Sequence, residues 1–327
     1  MSSVHDGACQ HRRVTEHAQL QPELTEITSG LRFPEGPVAM PDGSVIVVEM
    51  FGGRLTRVRP DGTTETIAEV DGAPNGAALG PDGAIYVCNN GGAFRPVELG
   101  GMLLPGSLDP EQYRGGRIQR VDLADGSVTD LYTECDGRPL RAPNDLVMDG
   151  HGGFYFTDHG LRDHHARTAD LTAIYYAMAD GSEIRELVFP VDAPNGIGLS
   201  PDGSMLYWAE TITGRVFQRE VTGPGRLADR VPLDPSAVLH GLPGMQYLDS
   251  LGVDGEGWVC VATIFNGGIT AISPDGETVE HHATGDIVTT NICFGGDDLR
   301  TAYITLSSTG RLVSTRWPRP GLRPAHS

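Results

Sequence analysis

The sequence predicts an all-β fold, a six-bladed β-propeller of four-stranded blades around a central channel, and three observations predict it. Of 327 residues, 44 are Gly and 23 Pro, while 39% are hydrophobic and only 20% charged. That turn-rich composition excludes a coiled coil or helical array. A unit of polar residue, short apolar strand, Gly-rich turn and second apolar strand recurs six times along the chain. Each of those turns is also a hairpin signal.

The first unit starts at Glu35 and turns at Pro41-Asp42-Gly43; the second starts at Asn75 and turns at Pro81-Asp82-Gly83. The third runs from Asn144 with a turn at residues 150–153, and the fourth from Asn195 with a turn at Pro201-Asp202-Gly203. The fifth runs from Asp249 through Gly255-Glu256-Gly257, and the sixth from Asn291 with a turn at residues 295–298. In these turns Gly supplies positive φ and Pro presets the bend. Outer strands follow, at residues 53–58, 116–121 and 268–272, and some end in a further Pro-Asp-Gly. A lone four-stranded sheet cannot bury both faces, so the blades must stack radially into one body. Six repeats in one register argue against the alternative, a two-sheet sandwich. The expectation is a polar arm at 1–20, a single propeller at 21–318 and a tail at 319–327. The long interval between Asn75 and Asn144 leaves room for an insertion at 94–114, which with residues 160–170 is expected to cover the channel mouth.

Lys plus Arg is 24 against 43 Asp plus Glu, a formal charge of −19 with the acids scattered. A nucleic-acid or anionic-membrane partner is therefore not expected. No apolar run approaches the roughly 20 residues that span a bilayer. The first 20 residues hold three His, two Arg and no apolar stretch, so they do not read as a signal peptide. Five cysteines without a C-x-x-C pair read as reduced thiols of a cytoplasmic protein, with Cys88, Cys260 and Cys293 in the core.

Equivalent positions at the start of each innermost strand surround one mouth of a propeller's channel. Glu35, Asn75, Asn144, Asn195, Asp249 and Asn291 are thereby expected to form a ring, although Asn-Gly taken singly is a common turn pair. No neighbouring cation neutralises the two carboxylates, and crowding them in a narrow tunnel is costly. A divalent cation removes that cost. Oxygen-only donors suit a hard ion, Ca²⁺ first, with Mg²⁺, Mn²⁺ or Zn²⁺ as alternatives.

The Phe33-Pro34-Glu35-Gly36-Pro37 entry, Pro143-Asn144-Asp145, Pro194-Asn195-Gly196, the Asp249 strand and the block from Thr290 to Gly296 resemble the gluconolactonase, regucalcin (senescence marker protein) and luciferin-regenerating-enzyme family. The resemblance covers about residues 20 to 318. It implies a six-bladed propeller with one catalytic divalent metal held by Glu35, Asn144, Asn195 and Asp249. Asn75 and Asn291 lie outside that ligand set, and the ring argument makes them substrate or outer contacts. Family lactonases often place an Arg close before the middle Asn to hold substrate hydroxyls. Here the nearest is Arg141, separated from Asn144 by Ala142 and Pro143, which puts aldonolactone specificity in question.

The second strand of each unit ends in a polar residue near the same mouth, and Asp158 with His159 is the pair of most interest, because a His there could move protons. The competing reading makes them part of a solvent-exposed loop. His281-His282 is expected to face solvent. There is no G-x-S-x-G, H-E-x-x-H or P-loop to support a serine hydrolase, zincin or nucleotide hydrolase. The leading expectation is hydrolysis of a small-molecule lactone, with the cation polarising the carbonyl and Asp249, directly or through a water on the ion, as general base. The alternatives are a phosphotriesterase, isomerase or dehydratase on the same ring, and a non-catalytic calcium-binding propeller.

Overall fold

The computed structural model describes residues 16–229 and 234–326. Six small antiparallel sheets stand in a ring, each with the leading strand of its repeat unit innermost. Blade one comprises Pro34–Ala39, Val45–Glu49, Arg54–Val58 and Thr64–Glu69. Innermost strands of the following blades are Pro74–Leu79, Pro143–Met148, Pro194–Leu199, Tyr247–Val253 and Thr289–Gly295. Among the described residues the only helical element is a 3-10 turn at Pro235–Ala237, and no helix is long and apolar enough to cross a membrane.

Strand alternation explains how one sheet serves two neighbours. Successive side chains of a strand point to opposite faces, so Ile46 and Val48 pack toward blade two while Val45 and Val47 pack against blade six. In blade five Val259 and Val261 meet blade four, and Cys260 and Ala262 meet blade six. Each pair of adjacent blades therefore encloses its own apolar core, and every blade is needed for two of them. Cys88, Cys135 and Cys260 are buried free thiols and Cys293 is partly buried; Cys9 lies outside the described residues.

The ring closes with strands from both ends of the sequence. Thr25–Thr28 is the outermost strand of blade six, paired with Arg311–Arg316. Residues 16–20, expected in the polar arm, instead run as the strand Glu16–Leu20 parallel to Thr278–Ala283 on the edge of blade five. The rest of that expected arm lies outside the described residues. The expected tail also begins too early: Arg319 is buried, its Nε donates to Asp254 Oδ2 at 2.6 Å, its Nη1 to Glu280 Oε2 at 2.9 Å, and its guanidinium lies 3.9 Å from the Trp258 ring centroid. His281 and His282 are likewise inside rather than solvent-facing. Pairing with the edge strand covers them, His281 Nδ1 meets the Thr270 hydroxyl at 3.0 Å, and His282 packs on Trp317 with ring centroids 4.1 Å apart.

Two insertions rise on the mouth side. Between the second and third strands of blade two, Pro96–Leu99 and Met102–Pro105 form a hairpin. It reaches across to blade six, where Leu103 N–H donates to Ser308 O at 2.9 Å. In blade three a smaller hairpin pairs Arg162–Asp163 with Thr168–Ala169.

Candidate functional site

Each innermost strand carries a bulge at its start. In blade three Pro143 pairs with Asp158 and Leu146 with Phe156, so Asn144 and Asp145 together oppose one residue; Pro194 and Ile197 frame Asn195 and Gly196 in the same way. A bulge bends the strand and re-aims a side chain, and here it turns the first bulged residue toward the channel axis. Asn195-Gly196 and Asn75-Gly76 are therefore not turns. Their glycines lie inside strands where the next blade comes too close for a side chain: a Cβ on Gly76 would stand 2.6 Å from Asn144 O, and one on Gly196 2.6 Å from the Ser250 carbonyl carbon.

Glu35, Asn75, Asn144, Asn195 and Asp249 line one cavity of about 320 Å³ at the mouth, although they are spread over five blades. All five are buried. The sixth expected position is off by one. In blade six Thr289 pairs with Leu306 and Ile292 with Ile304, so the first bulged residue is Thr290, and Asn291 is the counterpart of Asp145. A slip of one residue sends a side chain to the other face. Asn291 accordingly folds back, its Oδ1 accepting from Ile292 N–H at 2.8 Å, as Asp145 Oδ1 accepts from Leu146 N–H at 2.9 Å. The Thr290 hydroxyl takes the ring place and stabilises the Glu35 carboxylate.

The oxygens at this cavity are poorly satisfied. Glu35 Oε2, Asn75 Oδ1, Asn144 Oδ1 and Asn195 Oδ1 are buried without a hydrogen-bond partner. Buried polar atoms are ordinarily paired, and an unpaired one costs about 1–3 kcal/mol. Four acceptors in one cavity call for a positive group. The Asn195 amide is oriented by Nδ2 donating to Thr211 Oγ1 at 3.1 Å, which leaves its oxygen for the cavity. Burial pushes the Glu35 and Asp249 carboxyls well up, each worsened by a neighbouring carboxylate: Asp249 acts on Glu35, and Asp145 on both. Asp145 is itself pushed up to about 7 by burial. Two carboxylates and three amide oxygens match a hard divalent cation. Among the described residues no three His, Cys, Asp or Glu gather, which is what a donor set rich in amides requires.

The second strand's terminal residues have another task. Asp158 does not line the cavity; its Oδ2 accepts from Arg141 N–H at 2.6 Å and its Oδ1 from Ala142 N–H at 2.6 Å and Gly160 N–H at 3.0 Å. Glu49 does the same for Arg32 N–H, and Asn89 for Ala73 N–H. These side chains tie down the segment entering the innermost strand of their own blade. Arg141 is also away from the cavity, its Nε donating to Asp170 Oδ2 at 2.8 Å, so it is held as a loop brace rather than as a substrate clamp.

His159, by contrast, is buried and lines the cavity rather than belonging to an exposed loop. Its Nδ1 faces Gly160 O at 3.3 Å and its ring meets Phe94 edge-on with centroids 5.5 Å apart. Burial lowers its pKa to about 4, which keeps the imidazole neutral at physiological pH. With Nδ1–H directed at the carbonyl, Nε2 is the acceptor. Phe33, Met50, Tyr247 and Ile264 complete the wall; no motif marks them in the sequence, since they acquire their place only from the ring and its loops.

A larger cavity of about 470 Å³ opens at the other end of the channel. Its carboxylates are already engaged: Asp149 accepts from His151 N–H, Gly153 N–H and the Tyr176 hydroxyl, and Asp202 from Ser200 and Ser204. The mouth cavity is the one with unspent acceptors.

Comparison with known proteins agrees with this arrangement. A family model described as the SMP-30/Gluconolactonase/LRE-like region matches residues 33–308. Lactonase drp35 of Staphylococcus epidermidis is 23% identical over 274 residues, covering 83% of this chain and 62% of that protein, so the match spans about three fifths of the relative's length. Lactonase drp35 of Staphylococcus haemolyticus is 25% identical over 295 residues, covering 90% of this chain and 69% of that protein. Among solved structures, a gluconolactonase from Xanthomonas campestris superposes with a TM-score of 0.70 at 21% identity, covering 95% of this chain and 93% of that one. A regucalcin from Agrobacterium tumefaciens, described as a calcium-binding protein, gives 0.69 at 17% identity over 94% and 99% of the two chains. At such identities the structures establish the propeller.

Proposed function

The chain belongs to the SMP-30/gluconolactonase/LRE-like family, and from that premise we propose that it is a divalent-cation-dependent lactonase acting at the mouth cavity. The observation that carries the reading is the set of four buried, unpartnered oxygens on Glu35, Asn75, Asn144 and Asn195 beside the Asp249 carboxylate. Glu35, Asn144, Asn195 and Asp249 would hold the ion, Ca²⁺ being the hard cation that best suits them. When bound, such an ion supplies Lewis acidity to a substrate carbonyl.

The chain's own groups account for the remaining steps. Asp249 is the cavity carboxylate that would serve as general base. It takes a proton from water as the water oxygen bonds to the lactone carbonyl carbon. The ring C–O bond then breaks, and the departing oxygen receives a proton, giving a hydroxy acid. Asn75 Oδ1 and neutral His159 are further acceptors of the cavity lining and would orient water or substrate.

The test is hydrolysis of γ- and δ-lactones by the chelator-treated full chain in a pH-stat, with Ca²⁺, Mg²⁺, Mn²⁺ or Zn²⁺ restored in turn. Turnover that disappears with chelator and returns with one ion is expected. Hydrolysis indifferent to chelator would overturn the cation requirement, and turnover of a phosphotriester but no lactone would move the chain to the alternative chemistry.

A further inference from the structure

The mouth cavity is polar chiefly at its floor, with Ser107, His159, Arg162, His164 and Thr211 as the further polar residues of its lining. Above the carboxylates and amides its walls are Phe33 and Met50 from blade one, Phe94 and Leu108 from the blade-two insertion, and Tyr247 and Ile264 from blade five. Three of the polar side chains there have a protein partner, although Arg162 Nε has none. Arg162 pairs with Asp192, the Thr211 hydroxyl receives Asn195 Nδ2, and His159 Nδ1 faces Gly160 O. Arg141, the one arginine placed by sequence to meet substrate hydroxyls, is outside the cavity on Asp170.

The apolar lining does not stop at the rim. Ile212 lines the cavity and is 41% exposed, and Tyr247 packs on Phe265, 51% exposed, with ring centroids 5.1 Å apart. Both exposed residues sit in short turns that follow the second strands of blades four and five, Met205–Glu210 and Val259–Ile264. Met245 and Ile287, also exposed, immediately precede the innermost strands of blades five and six on the same face. A carbon-lined track thus leads from the floor at Asp249 past Tyr247 and Ile264 to the surface.

We propose that the substrate is a lactone with an apolar tail, an alkyl or aryl substituent on the ring that lies along Tyr247, Ile264 and Ile212 and reaches Phe265, and not a polyhydroxylated sugar lactone. This rests on the lactonase reading for the chemistry but on the wall alone for the selection. A sugar ring would press most of its hydroxyls against carbon, and each hydroxyl buried without a partner lowers affinity roughly ten- to hundredfold. An alkyl tail gains up to about fourfold per buried methylene.

Binding and turnover are separated by using lactams, which keep the ring and carbonyl but resist hydrolysis. Calorimetry with the cation-loaded full chain should give affinity that rises about two- to fourfold per methylene from an ethyl- to an octyl-substituted δ-lactam. A trihydroxylated δ-lactam should bind at least tenfold more weakly than the octyl compound. Ile212→Ser and Phe265→Ser, both at exposed positions, should weaken the octyl lactam at least fivefold more than the ethyl one. Tighter binding of the hydroxylated lactam, or affinity indifferent to tail length, overturns the proposal. Tail-dependent lactam binding without hydrolysis of any lactone leaves the selection standing and overturns the lactonase reading instead.

Discussion

Gly196 lies so close to Asp249 that a Cβ on it would stand 2.8 Å from the Asp249 carbonyl oxygen. The neighbouring blades can bring Asn195 and Asp249 to one cavity only because nothing projects between their strands. Gly196→Ala is therefore expected to push two backbones apart, at a cost of about 3 kcal/mol or more, and to weaken cation affinity as well. Gly83, at φ 78° with open space around it, is the control: alanine there strains only its own backbone and should cost about 1 kcal/mol. Denaturant melts and calcium calorimetry on both variants check the contrast.

Replacing Glu35 by Gln should abolish cation binding and turnover together, because it removes the charge of a carboxylate whose Oε2 has no partner within the protein and is open to the ion. Asp249→Asn retains an oxygen at the site but removes the base. It should keep part of the cation affinity while kcat falls by about two to four orders of magnitude. Terbium luminescence read beside kinetics distinguishes the two; the reverse pattern would reassign the roles.

Asn75 offers the same kind of unpartnered oxygen as Asn144 and Asn195. If that oxygen faces the ion, Asn75→Asp should raise Ca²⁺ affinity about tenfold through the added charge, with Asn75→Ala lowering it. Unchanged affinity with a raised KM would make Asn75 a substrate contact only.

Asp158 holds three backbone N–H groups and reaches no substrate-facing surface. Asp158→Ala leaves those donors buried and should cost about 2–4 kcal/mol, with melting temperature falling before activity is affected. Asp158→Asn, which keeps only acceptor Oδ1, should recover part of the loss.

His159 gives a pH signature. Its pKa in the folded protein is lowered to about 4 from an ordinary 6.5. Between those values the unfolded chain takes up a proton that the native state refuses. The stability it contributes is therefore complete above pH 6.5 and is lost as the pH falls toward 4, by up to about 3 kcal/mol. Raised carboxyls act in the opposite sense, Asp145 at about 7 and Glu210 at about 6, so the wild-type profile alone mixes both effects. The difference between wild type and His159→Gln in denaturant melts from pH 7.5 to 4.5 isolates the imidazole, and an unchanged slope would contradict its burial.

The propeller was legible because each unit repeats the same binary pattern and turn chemistry, and five of the six ring residues follow from that register. The sixth was not. In blade six the bulge keeps its place before the apolar run, but Thr290 fills its first position and Asn291 its second, so Asn291 resembles an anchor in sequence while Thr290 is one in space. Where the second strands end in polar residues, the sequence located them at the correct mouth but could not show that Asp158 spends its carboxylate on N–H groups of the loop before Asn144. His281 and His282 were misread because the strand that covers them comes from more than 250 residues away in the chain. The cavity walls were invisible for a similar reason: loops of unrelated sequence meet only once the ring has closed.

The hydrogen bond from Leu103 to Ser308 carries the blade-two insertion across blade one to blade six, and Phe94 and Leu104 pack there with Phe33 and Val288. That half of the entrance is roofed by an element anchored at both ends, whereas blades four and five present only tight turns. The less covered approach to the cavity is then the flank of blades four and five, and a change in that roof would alter what is admitted without touching the chemistry beneath it.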